Sequence, residues 1–238
     1  MADSAYLPRA VSVEAAASRH SGVVRFTHWV GTLCFFALLI TGVEIIISHP
    51  RFYWGEEGNS LMPSLFDIPI PSSRGGVKTG YNYVLPDQNG WSRYLHFQMG
   101  WLLVFAGSLY FVHGFATRHF QKNLMPHGSV FQSFREHLKF RRPTEEELKS
   151  YNALQRISYL KVVFLLFPVM IWTGLAMSPG ITAAFPFLVD VLGGFQSART
   201  IHFFATLALV LFVVIHVVMV YVSGFRKRMR LMTLGGNE

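Results

Sequence analysis

The sequence predicts an all-α integral membrane protein, a four-helix bundle whose two termini both face the cytoplasm. Hydrophobic residues make up 51% of the 238 residues and charged residues only 14%, a balance typical of small polytopic membrane proteins. Four apolar runs are each long enough to cross about 30 Å of hydrocarbon. Lysine and arginine are concentrated in alternate connections between these runs, as the positive-inside rule describes.

The four apolar runs define the predicted membrane spans, because each is longer than the apolar stretch of an ordinary helix in a soluble protein. The predicted spans are 26–47, 94–115, 157–177 and 201–222. They leave an N-terminal segment 1–24, connections 48–92, 116–153 and 179–197, and a tail 223–238. An even number of spans puts both ends of the chain on one side of the membrane.

Basic residues set the predicted orientation, because short cytoplasmic segments accumulate Lys and Arg. The second connection and the tail are rich in them, whereas connection 179–197 has none. The residues are Arg118, Lys122, Arg135, Lys139, Arg141, Arg142 and Lys149, with Arg226, Lys227, Arg228 and Arg230 in the tail. We therefore place the termini in the cytoplasm of a bacterial inner membrane and connections 48–92 and 179–197 in the periplasm.

The net charge of +8 follows mostly from this topology, with some attraction to anionic membrane lipid; nucleic-acid binding is not expected. No removable signal peptide is predicted before the first span. The single cysteine, Cys34, has no partner for a disulfide. It also excludes a C-x-x-C-H haem attachment site and a cysteine-ligated iron–sulfur cluster. Any haem would therefore be held without thioether bonds.

Two histidines of the fourth span, His202 and His216, have the most informative spacing in the chain. They are 14 residues apart, a step that returns to within about 40° of the same helix direction while rising about 21 Å. One helix face thus carries an imidazole near each membrane surface. Ionisable side chains within a span are costly and usually functional, and imidazole is a common axial ligand of haem iron. The spacing predicts two haems at different depths.

Two further histidines supply partners at these depths. His28 begins the first span at the cytoplasmic depth of His216, and His96 begins the second span at the periplasmic depth of His202. The predicted sites are therefore two bis-histidine haems, His28 with His216 and His96 with His202.

Other polar residues near the membrane compete for these roles. His113 has the depth of the cytoplasmic site but points about 100° away from the face of His96, so a structural or quinone-site role is expected for it. His49 ends the first span and is an alternative to His96. Glu44 lies inside the first apolar run, where it either takes part in a proton path or simply reaches the interface.

Glycine rows are consistent with room for a flat porphyrin. Gly100 and Gly107 fall within about 40° of His96 on a helical wheel, and Gly114 is near the same face. Gly42 aligns in the same way with His28. The same small residues would also allow close contact between helices, so the pattern does not choose between the two explanations.

These residues together resemble the di-haem cytochrome b subunits of bacterial formate dehydrogenases and nickel-iron hydrogenases. Within that cytochrome b561-like superfamily they are most similar to the thiosulfate reductase type. The resemblance covers all four spans, and the two-histidine fourth helix is its strongest part. The other matching segments are Arg25-x-x-His28-Trp29, 49–55, Arg93-x-x-His96-Phe97, 151–155 and 197–202.

The resemblance implies a subunit that carries electrons between the membrane quinone pool and a periplasmic redox subunit, with a molybdopterin-dependent oxidoreductase as the expected partner. It implies two non-covalent haems b, held by His28 and His216 on the cytoplasmic side and by His96 and His202 on the periplasmic side. In the formate dehydrogenase type, quinone binds beside the cytoplasmic-side haem through an asparagine just before the third helix. Asn152 matches that asparagine and Gln155 is a second candidate, although Asn152 could instead cap the helix.

Connection 48–92 is longer than in the formate dehydrogenase subunits and is rich in aromatic residues. It predicts either a docking surface for the partner, with Tyr53 and Trp54 as anchors, or a cap for its own helices. The sequence contains no pterin-binding or nucleotide-binding signature, so the substrate chemistry is expected to belong to the partner.

Two other classes of protein stay open. One is a self-contained transmembrane oxidoreductase of the cytochrome b561 kind, with a small-molecule donor and acceptor. The other is a non-redox membrane anchor or transporter whose histidines bind no haem. The direction of electron flow is also open, since a molybdenum reductase would draw electrons from quinol and a dehydrogenase would deliver them to quinone. Whether the chain is itself an enzyme depends on the quinone site.

Overall fold

The computed structural model describes residues 21–59, 61–70, 77–78, 84–85, 90–121, 153–222 and 224–235. Its helices are α1 Gly22–Ser48, α2 Gly90–Ala116, α3 Ala153–Lys161, α4 Phe167–Ala176, α5 Pro179–Thr182, α6 Phe187–Asp190, α7 Phe195–Val222 and α8 Phe225–Thr233. A π-helical segment, Val162–Leu166, joins α3 to α4. In this part of the chain four helices are long and apolar enough to span a membrane: α1, α2, the joined helix over Ile157–Ala176, and α7. The predicted all-α membrane architecture is confirmed.

The long helices expose large apolar side chains over much of their surface. Leu33 is 64% exposed, and Ile40 and Leu211 are each 61% exposed. Exposed apolar area in water costs about 25 cal/mol per Å², whereas a bilayer solvates it and the helices satisfy their own backbone groups. This surface is the one expected of a multi-pass membrane protein.

The bundle is built from two pairs of helices. α1 packs along α2, and α4 packs against α7. The residues buried within these helices are mostly small, which lets helix backbones approach closely in a membrane. They include Cys34, Thr41, Ala106, Thr173, Ala176, Ala198 and Ala205.

The third span is not a regular α-helix. Pro168 is the second residue of α4 and has no N–H with which to bond the carbonyl four residues earlier. Just before it the chain adopts the wider π geometry, and the Phe167 N–H bonds to the Val162 carbonyl five residues back. This π segment accommodates the proline without ending the helix.

The connection after α1 contains short antiparallel strand pairs. β1 Arg51–Phe52 pairs with β2 Phe66–Asp67, and β3 Val77–Lys78 pairs with β4 Val84–Leu85. Phe52 is only 1% exposed and its ring stacks on Phe66 with centroids 4.7 Å apart. The first pair therefore forms a small aromatic core above the bundle.

The segment 49–55 is fixed to the start of α7 by hydrogen bonds. The Gly55 N–H donates to Ser197 Oγ at 2.8 Å, and the Thr200 hydroxyl donates to the Tyr53 carbonyl at 2.7 Å. Because His202 follows two residues after Thr200, these bonds also position the end of α7 that carries His202.

The tail helix α8 returns to the start of α1. The Trp29 indole N–H donates to the Met232 carbonyl at 3.0 Å. Helix α8 has four basic residues and no acidic one: Arg226, Lys227, Arg228 and Arg230. A basic helix beside a membrane span is typical of contact with anionic lipid.

Candidate haem-binding sites

His96 on α2 and His202 on α7 face each other across the bundle. Their ring centroids are 6.3 Å apart and their planes are inclined by 61°. Thr41 Oγ1 on α1 lies 2.9 Å from His96 Nδ1, and Thr173 Oγ1 on α4 lies 2.7 Å from His202 Nδ1. Since Nδ1 is engaged in both rings, Nε2 is the nitrogen available to a metal.

His28 on α1 and His216 on α7 form a second facing pair at the opposite end of the bundle. Their ring centroids are 6.4 Å apart and their planes are inclined by 53°. The surroundings are aromatic: Trp29 lies 5.3 Å from the His28 ring, and Phe212 stacks on the His216 ring at 5.7 Å. The structure thus brings together all four histidines predicted as ligands, in the two predicted pairs.

Both separations fit a metal between the two rings. A metal–imidazole bond of about 2 Å plus a ring radius of roughly 1.1 Å, counted on both sides, puts the two centroids about 6.2 Å apart. Both pairs match this bis-histidine geometry of haem iron. The described residues contain no group of three or more His, Cys, Asp or Glu side chains that could hold a metal ion.

Arginines stand three residues before three of the four histidines: Arg25, Arg93 and Arg199. That spacing places each arginine on the same helix face, one turn nearer the helix start. In the described part of the chain, Arg25 Nη1 is buried without a hydrogen-bond partner, so it can receive an acidic group such as a haem propionate. Arg199 is engaged differently, because it donates to the backbone carbonyls of Arg51, at 3.0 Å, and His49.

Gly42 lies beside His96, although its helical-wheel position matches His28. A Cβ added to Gly42 would lie 3.6 Å from His96 Cε1. The reason is depth: Gly42 is 14 residues from His28, about 21 Å along the helix. Gly42 therefore adjoins the His96 site, and its alignment with His28 on the helical wheel does not bring it to the His28 site.

The glycine row of α2 divides into two environments. A Cβ added to Gly100 or Gly107 would meet no atom of the described residues within 4 Å. Within that part of the chain, close helix contact does not explain these glycines, and they leave the face of α2 beside His96 open. At Gly114, by contrast, a Cβ would lie 2.3 Å from the Phe120 ring. Gly114 therefore makes room for an aromatic side chain of its own chain.

The competing histidines have other contacts. His113 Nε2 lies 2.8 Å from Ser21 Oγ, and Ser21 is the N-cap of α1. The contact supports the structural role expected for His113. His49 is the C-cap of α1, where its N–H bonds to the Ile45 carbonyl at 3.1 Å. Neither residue is placed within one of the two facing pairs, and the Glu44 side chain is exposed.

The structure describes the predicted quinone-binding residues only in part. Asn152 lies outside the described residues, and of Gln155 only the backbone, in α3, is described. Sequence reasoning missed Tyr159, one turn further along α3, whose ring lies 6.1 Å from the His216 ring. A tyrosine near the start of a span usually marks the membrane interface, so no sequence pattern specifically indicates this contact.

The two aromatic residues predicted to anchor a partner have opposite environments. Tyr53 is 7% exposed, and its hydroxyl donates to the Asn59 carbonyl at 2.7 Å. Trp54 is 61% exposed. The prediction for Tyr53 is therefore wrong, since its side chain folds the connection, and only Trp54 is available for docking.

Four membrane helices that present facing histidine pairs at both ends of one bundle define a membrane cytochrome b. A sequence profile of the family described as "Prokaryotic cytochrome b561" matches residues 19–235. The chain belongs to that family. It is thus a multi-pass bacterial membrane protein of electron transport, and its family implies haem b as the prosthetic group.

The chain is also similar to a protein of Azospira oryzae named "Putative protein-methionine-sulfoxide reductase subunit YedZ1". The two are 30% identical over 203 residues, which cover 84% of this chain and 89% of the relative. The similarity therefore extends over almost the whole of both proteins. The family match confirms the superfamily part of the predicted resemblance, whereas the narrower formate dehydrogenase, hydrogenase or thiosulfate reductase type stays a prediction.

Proposed function

We propose that this chain is a di-haem cytochrome b that transfers electrons between a membrane quinone and a redox partner subunit. The observation that carries the proposal is the presence of two histidine pairs with ring centroids 6.4 and 6.3 Å apart. The pairs lie at opposite ends of α7, about 21 Å apart along its axis. Two haem sites at this separation provide a route for electrons across the membrane, whereas a single haem site would not.

Four histidines would hold two haems b: His28 with His216, and His96 with His202. Haem b, when bound, supplies reversible one-electron exchange between ferric and ferrous iron. The chain itself fixes the imidazoles on helices, excludes water with apolar side chains, and offers the buried Arg25 Nη1 to an acidic haem substituent. Helix-borne ligands hold their positions more rigidly than ligands on loops.

We place quinone exchange beside the His28–His216 pair. Tyr159 brings α3 within ring contact of His216 and of Phe212, whose ring centroid lies 6.0 Å away. Gln155 is four residues before Tyr159 and so lies on the same helix face. An amide from Asn152 or Gln155 at the mouth of an apolar bundle would donate to a quinone carbonyl at a depth that a lipid-soluble ring reaches.

We further propose that the His96 end faces the periplasm across the bacterial inner membrane, because the basic connection and tail belong on the cytoplasmic side. The name of the Azospira oryzae relative makes it a subunit of a putative protein-methionine-sulfoxide reductase. This supports a reductase as the partner of the present chain and electron flow from quinol toward it. A molybdopterin-dependent oxidoreductase is the proposed partner class, as in the formate dehydrogenase and thiosulfate reductase types.

The test combines spectroscopy with copurification. A reduced quinone analogue such as duroquinol is added to the purified chain in liposomes, and the α-band of ferrous haem b is followed. Quinol should reduce haem; a preparation that dithionite reduces but quinol does not would refute the quinone link. Tagged chain from native membranes should bring down a redox subunit. Recovery of the chain alone, with turnover of small-molecule donors and acceptors, would instead favour the self-contained oxidoreductase.

A further inference from the structure

Both candidate ligands at the His96 end are held by the same dipeptide. Thr41-Gly42 on α1 meets His96, and Thr173-Gly174 on α4 meets His202. In each case the threonine Oγ1 lies within 2.9 Å of Nδ1. In each case a Cβ added to the glycine would lie 3.6 or 3.7 Å from Cε1 of the ring. We call each dipeptide a Thr-Gly clamp.

The direction of the hydrogen bond in the clamp is settled by the threonine. Each threonine hydroxyl donates its single proton to the carbonyl four residues earlier in its own helix, at 2.7 Å in both clamps. Its oxygen must therefore accept from the histidine Nδ1–H. The clamp thus fixes the tautomer that leaves the Nε2 lone pair free.

Burial makes these hydrogen bonds persistent. Thr41 is 1% exposed and Thr173 is 0% exposed, so water does not compete for the Nδ1 protons. The glycine beside each threonine lets the ring lie close to the helix backbone. Each clamp comes from the helix packed against the one that carries the ligand, α1 against α2 and α4 against α7.

Among the described residues, the His28 end has no equivalent of the clamp. In the described part of the chain, the Nδ1 atoms of His28 and His216 are buried without a hydrogen-bond partner. The two threonines of α1 near His28 donate to backbone carbonyls of their own helix, Thr27 to Val23 at 2.9 Å and Thr32 to His28 at 2.8 Å. The two ends therefore differ in the environment of Nδ1 while sharing the same separation between rings.

We propose that Thr41 and Thr173 are positioning residues that give the haem at the His96 end a lower reduction potential than the haem at the His28 end. This inference rests on the proposed function. An imidazole that donates its Nδ1–H is a more basic ligand, and a more basic ligand stabilises ferric iron more than ferrous iron. A lower-potential haem at the end that faces the partner is the stronger electron donor to it.

The experiment is a spectroelectrochemical titration of purified di-haem chain. Thr41→Val and Thr173→Val remove the hydroxyl and keep the shape. Thr41→Ser and Thr173→Ser keep the acceptor oxygen. Thr206→Val is the matched control, because its hydroxyl donates to the His202 backbone carbonyl at 2.9 Å and to Met170 Sδ rather than to the ring; Thr32→Val is the equivalent control for His28. Removal of one haem by His202→Ala assigns the two potentials.

We expect two potentials in the wild type, with the lower one absent from His202→Ala. Each Thr→Val variant should raise the lower potential and leave the higher one in place. A tenfold change in the preference for ferric over ferrous iron corresponds to about 59 mV for one electron, and each variant should shift the potential by up to that amount. The Ser variants should return the wild-type value, and the ferric low-spin EPR signal of the same haem should change in the Val variants alone.

Two intact haems with unmoved potentials in both Val variants would overturn the inference, as would equal shifts in the Thr206→Val control. If a Val variant loses one haem, its retention in the matching Ser variant supports positioning by the hydroxyl, whereas the same loss in Thr206→Val contradicts it. A wild type with fewer than two haems would instead refute the proposed function. Failure of this inference and failure of the proposed function therefore give different experimental results.

Discussion

Asn152 carries the amide on which the proposed quinone site depends most. Asn152→Leu keeps similar bulk and removes the hydrogen bond. Loss of one such bond is worth about 1–3 kcal/mol, so quinol-dependent haem reduction should slow by about fivefold to a hundredfold when the bond forms in the rate-limiting step. Stopped-flow absorbance with a reduced quinone analogue measures this rate, and dithionite should still reduce both haems.

The control is Gln98→Leu, which removes an exposed amide two residues after His96, at the other end of the bundle. It should leave the quinol rate unchanged. If Asn152→Leu keeps the wild-type rate while Gln98→Leu slows it, the quinone site belongs to the His96 end.

Single residues differ in how far the sequence could predict their roles. The two facing histidine pairs were predictable, because His202 and His216 are costly side chains at a spacing that places them on one helix face. Thr41 and Thr173 were not, since a threonine in an apolar helix commonly bonds only to its own backbone. Their contacts with histidine depend on which helices pack together. Tyr53 was misassigned because aromatic enrichment does not distinguish a buried ring from an exposed one.

At the scale of elements, the turn before α7 controls how segment 49–55 joins the bundle. Gly194 has φ of +113°, and a Cβ there would lie 2.5 Å from the backbone of Gly55 and Glu56. Gly194→Ala should therefore destabilise the fold by about 1–3 kcal/mol through backbone strain, and more if the segment is displaced. Thermal unfolding in detergent should show a lowered midpoint, with weaker retention of the haem at the His96 end.

Gly180→Ala is the matched control. It lies in the same connection, in α5, where an added Cβ meets no atom of the described residues within 4 Å, so the unfolding midpoint should stay near the wild-type value. Equal midpoints for Gly194→Ala and Gly180→Ala would show that segment 49–55 is not fixed to α7 as described.

The extent of the long helices was predictable because each of them coincides with an apolar run in the sequence. Each predicted span falls within one long helix, apart from Met177, which is the C-cap of α4. The π segment Val162–Leu166 and the docking of 49–55 on α7 were not predictable. The docking depends on contacts between residues far apart in sequence. The π segment depends on which of several possible helix geometries accommodates Pro168.

At the scale of the whole molecule, the exposed Trp54 is the docking contact expected for a partner subunit. Trp54→Ala should weaken copurification of that subunit by at least about tenfold if the tryptophan is an interface hot spot, with the haem spectrum unchanged. Trp101→Ala is the control, since Trp101 is similarly exposed, at 49%, but lies within the span formed by α2. Equal copurification of both variants with the wild type would assign Trp54 to the membrane interface instead. Tyr53→Ala is expected to lower stability.

The orientation of the bundle is a second property of the whole molecule. The basic residues of 116–153 and of the tail should hold the C-terminus in the cytoplasm. A C-terminal green fluorescent protein fusion should therefore fluoresce, and a C-terminal alkaline phosphatase fusion should be inactive. The reverse result would place the His28–His216 pair on the periplasmic side and move the proposed quinone site with it.

The central claim is that four histidines hold two haems b in one chain, and haem stoichiometry tests it most directly. Pyridine haemochrome analysis of the purified chain, against protein measured by amino-acid analysis, should give two haems b per chain. His216→Ala and His202→Ala should each give one, because each removes a ligand from one pair, and His113→Ala should keep two. A fully loaded wild type with one haem or none, or a His113→Ala variant that loses a haem while His216→Ala keeps both, would contradict the account.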